Sequence, residues 1–139
     1  MRKNTFSFLA GLFGATGVAL GALGAHALKQ KMQEGLLTPE QLSAFDTGTK
    51  YQLIHAIVLL LLAYINKDKQ YKLYTVASYL MVAGILLFSG SIYLLTTRNI
   101  TGINAGFILG PLTPLGGVLL IAGWVCITIE ALKKNDPSL

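Results

Sequence analysis

The sequence predicts an all-α, polytopic membrane protein: four transmembrane helices in one antiparallel bundle, with both termini on the cytoplasmic side. Two observations carry that reading. Of the 139 residues, 53% are hydrophobic and only 12% charged, whereas a soluble domain is about a quarter charged. The charges are also clustered. No Asp, Glu, Lys or Arg lies between Lys3 and Lys29, between Lys72 and Arg98, or between Arg98 and Glu130. Each gap exceeds the roughly 20 residues that cross a hydrocarbon core about 30 Å thick.

Helix one is expected over residues 5–28. At 100° per residue its side chains sort into three stripes. Ala10, Gly14, Gly17, Gly21 and Gly24 form the first, Gly11, Ala15, Ala19, Ala22 and His26 the second, and Leu9, Phe13, Leu20 and Leu23 the third. Small residues let backbones approach closely where lipid gives helices no hydrophobic reason to associate. Helix one is therefore expected to pack on two sides, with Gly14, Gly17, Gly21 and Gly24 at the contact and the Leu and Phe stripe toward lipid. Arg2 and Lys3 followed by Ala25-His26-Ala27 also fit a cleavable leader. The apolar stretch of about 20 residues is longer than the usual leader core of about 7 to 15, which favours a retained span.

Helix two needs an argument, because only 16 residues separate Lys50 from Lys67, about 24 Å of helix. A start upstream is supplied by Thr38-Pro39-Glu40-Gln41: an N-cap Thr, a Pro where its missing N–H does no harm, and Gln at the capping-box position. The helix then runs over 39–65, with Asp46 and Lys50 paired one turn apart near the headgroups. A basic turn, Asn66 to Lys72, leads to helix three over 73–97, where Ser89 and Ser91 can bond to backbone or across helices. Helix four is expected over 113–132. Thr113 before Pro114 reads as N-cap and first helical residue, and Gly110, Pro111, Thr113 and Pro114 together read as a rigid turn. Free N–H groups there could attract an anion, but Arg98 is the one basic residue nearby.

Orientation follows from the basic residues. With the N-terminus inside, the cytoplasmic segments carry Arg2, Lys3, Lys67, Lys69, Lys72, Lys133 and Lys134, against Lys29, Lys31, Lys50 and Arg98 outside. Lysines beside anionic lipid then account for the net charge of +5, with no need for a nucleic-acid partner.

Ionisable groups in a bilayer are costly and usually face the bundle interior, so His26 and His55 stand out. Both fall toward the outer side, on neighbouring antiparallel helices, close enough in this reading to meet, with Tyr51 and Gln52 as hydrogen-bonding neighbours. One reading is a proton-responsive or ligand-binding site; the other is that each imidazole fixes helix packing. Asp46 lies about 180° from His55 around its own helix, so the pair lacks the carboxylate common in metal sites. No metal or cofactor is expected. Cys126 is the one cysteine, which excludes an internal disulfide. No nucleophile with a base in register and no phosphate loop occurs, so catalysis is not expected.

Five segments taken in order resemble a known family: Gly21-Ala22-Leu23-Gly24-Ala25-His26-Ala27-Leu28, Phe45-Asp46-Thr47-Gly48, Tyr51-Gln52-Leu53-Ile54-His55-Ala56, Leu87-Phe88-Ser89-Gly90-Ser91-Ile92-Tyr93 and the stretch from Gly110 to Gly117. Nearly the whole chain is similar to the YgdD/YwdK-like family of small bacterial membrane proteins, domain of unknown function family 423. The resemblance implies four spans in the bacterial inner membrane and no particular reaction. The expected function is a non-enzymatic structural or accessory bundle in membrane organisation. Its partners would be membrane lipids and either further copies of itself or another membrane protein. The alternative is a small-ligand, proton or metal binding or transport protein built on His26 and His55.

Overall fold

The computed structural model describes residues 3–135, with side chains placed over 5–133. Arg2 and the side chains of Lys3 and Lys134, which entered the orientation argument, lie outside the described residues. Helix α1 (Lys3–Leu23) continues through a π-helical turn, Gly24–Leu28, into α2 (Lys29–Gln33). The long helices α3 (Pro39–Ile65) and α4 (Lys72–Thr96) follow, then the short α5 (Arg98–Thr101) and finally α6 (Gly106–Asn135). Among the described residues four helices, counting α1 to α2 as one, are long and apolar enough to cross a membrane.

The ends of these helices follow from local chemistry. Helix α2 stops at a Schellman turn: Gly35 takes φ +80°, its N–H bonds to the Met32 carbonyl, and the Leu36 N–H reaches back to Lys31. A left-handed residue satisfies the last carbonyls this way, and glycine does so without strain. Helix α3 opens on the expected capping box. The Gln41 N–H bonds to Thr38 Oγ1 at 3.2 Å and the Thr38 N–H to Gln41 Oε1 at 2.9 Å. The turn into α4 is held by Asn66, whose Oδ1 accepts from the Tyr71 N–H at 2.8 Å and whose Nδ2 donates to Thr75 Oγ1 at 2.9 Å. Helix α4 has no side-chain cap of its own. Glu130, far away on α6, supplies one by accepting the Leu73 N–H at 2.8 Å, where the helix dipole favours a carboxylate.

The extensive pairings are α1 with α3, α3 with α4, and α4 with α6. Helices α3 and α4 thus form the central pair, with α1 and α6 as flanks. The main core joins Phe6, Ala10 and Phe13 of α1 to Leu59 of α3, Met81 of α4 and Leu120 of α6. A smaller cluster of Leu28, Leu37 and Phe45 closes the end where α2 meets α3.

Two expectations are corrected. Helix four does not begin at Thr113; α6 begins at Gly106 and carries Pro111 and Pro114 inside it. Each proline withholds an N–H from the carbonyls of Phe107 and Gly110 and crowds them with its ring, a cost that membrane helices tolerate where local adjustment and neighbouring groups satisfy the freed carbonyls. Thr113 is therefore no cap: its hydroxyl bonds to Ser91 Oγ of α4 at 2.6 Å. The lipid-facing stripe of helix one is also different. Phe13 is buried, Leu9 and Leu20 pack against the two cores, and Leu23 alone of that stripe is largely exposed. The second small stripe, Gly11, Ala15, Ala19 and Ala22, is exposed instead. Because α1 packs on one flank of the central pair, a single mixed stripe of large and small residues (Phe6, Ala10, Phe13, Gly17, Gly24 and Leu28) faces inward.

Candidate functional site

The helix pairing places the four candidate polar residues in three different settings. Gln52, 4% exposed, sits where α1, α3 and α4 converge. Its Nε2 donates to the Phe13 carbonyl and to Thr16 Oγ1, both at 2.8 Å, and its Oε1 accepts from the Tyr93 hydroxyl at 2.8 Å. One amide therefore ties three helices, with both N–H groups and the oxygen used. One turn higher, Ser89 Oγ donates to the Gly48 carbonyl at 2.8 Å. The absence of a side chain at Gly48 allows that approach, since a Cβ there would meet Tyr93 Cε1 at 2.9 Å.

His55 is 5% exposed and joins α3 to α6. Its Nδ1 lies 2.7 Å from the Tyr51 carbonyl, and its Nε2 lies 3.2 Å from Trp124 Nε1. A carbonyl only accepts and an indole N–H only donates, so the partners fix the neutral imidazole with its proton on Nδ1. Tyr51 faces outward, 43% exposed, with its ring 4.8 Å from Phe88 and 5.8 Å from His55 between centroids.

His26 is not part of this group. It is exposed on the π-helical turn. The antiparallel register explains why: Gly24 lies against Phe45 and Gly17 against Leu53, so the α1 residues level with His55 come before Gly17. His26 lies at least nine residues further along, about 14 Å of helix. The two histidines therefore do not meet. Among the described residues no group of three His, Cys, Asp or Glu lies together to hold a metal. Among the described residues the buried polar side chains all have hydrogen-bond partners. Trp124 is the one tryptophan, so its emission reports on His55: His55→Phe is expected to shift the fluorescence spectrum of the folded protein and His26→Ala to leave it unchanged. Equal spectra for all three proteins would contradict the His55–Trp124 contact.

The glycines divide in the same way. A Cβ at Gly17 would meet Leu53 Cδ2 at 2.8 Å and one at Gly24 would meet Phe45 Cδ1 at 3.1 Å, but Gly14, Gly21 and Gly110 have open space. The tighter glycine seam runs between α4 and α6. A Cβ at Gly84 would meet Leu120 Cγ at 2.7 Å, one at Gly123 would meet Met81 Cε at 2.9 Å, and one at Gly116 would run into the backbone of Leu87 and Phe88. Sequence reasoning missed this seam, along with Tyr93, Trp124 and Glu130. Trp124 had a usable signal, since an indole N–H inside an apolar helix needs an acceptor and His55 is one of few on the other helices.

Comparison with known proteins finds a family described as "Protein of unknown function (DUF423)", matching residues 20–117. The chain is 39% identical over 131 residues to the UPF0382 membrane protein YwdK of Bacillus subtilis, covering 94% of this chain and 98% of the relative. It is 36% identical over 135 residues to a UPF0382 membrane protein of Haemophilus influenzae, covering 96% and 98%. A UPF0382 membrane protein of Staphylococcus aureus is 35% identical over 128 residues, covering 92% and 95%. No solved structure matches the chain.

Proposed function

The chain belongs to the DUF423 family of membrane proteins of unknown function, and from that premise we propose that it is a non-enzymatic structural or accessory bundle of the bacterial plasma (inner) membrane. The observation that carries the proposal is the use made of the interior polar groups. Gln52, Ser89, Ser91 and His55 are all engaged in joining one helix to another. In a bilayer such bonds hold helices together at about 0.6 to 2 kcal/mol each. Side chains committed in this way support a scaffold reading over a reaction centre. A partner surface is available on α1, where Gly11, Ala15, Ala19 and Ala22 are exposed and would admit a helix of another copy or of another membrane protein.

Native mass spectrometry of protein released gently from membranes tests the proposal. A homo-oligomer, or a complex with a second membrane protein, is the expected result. A lone monomer retaining a small polar molecule that disappears in His55→Ala would overturn it.

In the same proposal both termini lie inside, because seven Lys and Arg fall on that side against four on the other. In a Cys126→Ser background, a cysteine placed at Lys31 is expected to react with an impermeant thiol reagent added outside intact cells, and one at Lys69 is not. The opposite pattern would invert the orientation.

A further inference from the structure

An open groove of about 400 Å³ runs between the π-helical turn and the first turns of α3, lined among others by Gly21, Ala25, Lys29, Leu42, Phe45 and Asp46. Its place relative to the bilayer follows from helix length. Counting about 20 residues back from Ile65 along α3 reaches the edge of the hydrocarbon near Asp46. There the exposed Asp46–Lys50 pair, 2.6 Å apart, would stand among headgroups. Phe45 lies against Gly24, so the same edge crosses α1 at the π-helical turn. From that level the groove continues down to Gly21 and up to Lys29. The eight-residue step from Gly21 to Lys29 makes it about 12 Å long, parallel to the helices and to lipid chains.

We propose that this groove seats an anionic phospholipid of the adjacent leaflet, with the upper part of one acyl chain against Gly21, Ala25 and Phe45 and the phosphate on Lys29. The charges at the rim select the headgroup. Lys31 is paired with Glu34 at 2.7 Å and Lys50 with Asp46, while Lys29 has no acidic partner among the described residues. Glu40, on the same turn as Pro39, lines a neighbouring groove with Ser43 and Thr47 and not this one. The floor is kept clear by small residues. Beyond the local backbone of its own helix, a Cβ at Gly21 would meet nothing within 4 Å, which leaves room beside it for an acyl chain. A widened π turn at this position fits the association of such turns with functional sites.

The test uses the full-length protein, stripped of lipid in detergent and titrated with phosphatidylglycerol, with phosphatidylcholine and with glycerol 3-phosphate. Bound lipid is read by native mass spectrometry and the melting midpoint by thermal scan. Wild type is expected to bind phosphatidylglycerol in preference to phosphatidylcholine, to be stabilised by it, and to ignore glycerol 3-phosphate. Gly21→Leu is expected to melt as wild type without lipid and to lose the bound lipid. Ala25→Leu gives the same reading should Gly21→Leu fail to fold. Lys29→Gln is expected to lower the preference for the anionic lipid about fivefold, the contribution of one lysine near a membrane surface. Three results each overturn the proposal: equal lipid retention by Gly21→Leu and Ala25→Leu, equal headgroup preference in Lys29→Gln, and a change of oligomer size in place of lipid loss. The last would assign the groove to a second copy of the chain.

Discussion

Gly116→Ala is expected to destabilise the bundle by about 2 to 3 kcal/mol, the upper part of the range for forcing an extra methyl into a packed interior. At Gly116 the added carbon meets main chain, the Leu87 carbonyl carbon at 2.8 Å and the Phe88 nitrogen closer still. Main chain cannot swing aside as the end of a leucine can, so α4 and α6 must separate. Separation forfeits more than one contact, because the same seam holds Gly84 against Leu120, Gly123 against Met81, and the Ser91–Thr113 hydrogen bond. Gly117 is the control: a Cβ there would sit 3.7 Å from Phe88 Cδ2, an ordinary contact. Gly117→Ala should be neutral or gain up to about 1 kcal/mol from helix propensity. Unfolding of both variants by denaturing detergent, followed through Trp124 fluorescence, reads the difference. Two equal midpoints would mean that α4 and α6 are not in close backbone contact.

That seam also shows where a single sequence stops being legible. The spans could be read because the bilayer imposes one length and excludes charge, and α3 could be started at Pro39 because Thr38 and Gln41 form a cap by purely local chemistry. The glycines carry no such local mark. Helix one has small residues on two faces, and the face that packs is decided by where α3 lies, so Gly17 and Gly24 are in contact while Gly14 and Gly21 face open space. The prolines misled for a related reason. Pro111 and Pro114 signal a helix start in water, where a lost hydrogen bond is easily replaced, but inside a membrane the helix continues through them because leaving it would expose more backbone. His26 and His55 were paired by side of the membrane alone. The register set by Gly24 on Phe45 and Gly17 on Leu53 then separates them, and that register depends on side-chain fit between helices 20 or more residues apart in sequence.

Gln52→Leu is the second large effect expected, a loss of about 2 kcal/mol from three membrane hydrogen bonds averaging about 0.6 kcal/mol each. The partners separate the contributions. Tyr93→Phe removes one bond to Gln52 and Thr16→Val another, so each is expected to cost about 0.6 kcal/mol. Gln52→Leu combined with Tyr93→Phe should cost less than the sum of the two, since both delete the same contact. Strict additivity would show that the amide does not bridge α3 and α4. The consequence for the fold is directional. Helix α1 is fastened to the rest mainly through α3, and two of the three Gln52 bonds run to it, whereas α4 and α6 share a glycine seam that Gln52 does not touch. Without Gln52, α1 should therefore loosen before the α4–α6 pair, with faster hydrogen exchange over residues 5–23 and unchanged protection over residues 78–92. Uniform loss of protection would place the weak point of the bundle at the α3–α4 contact instead of at α1.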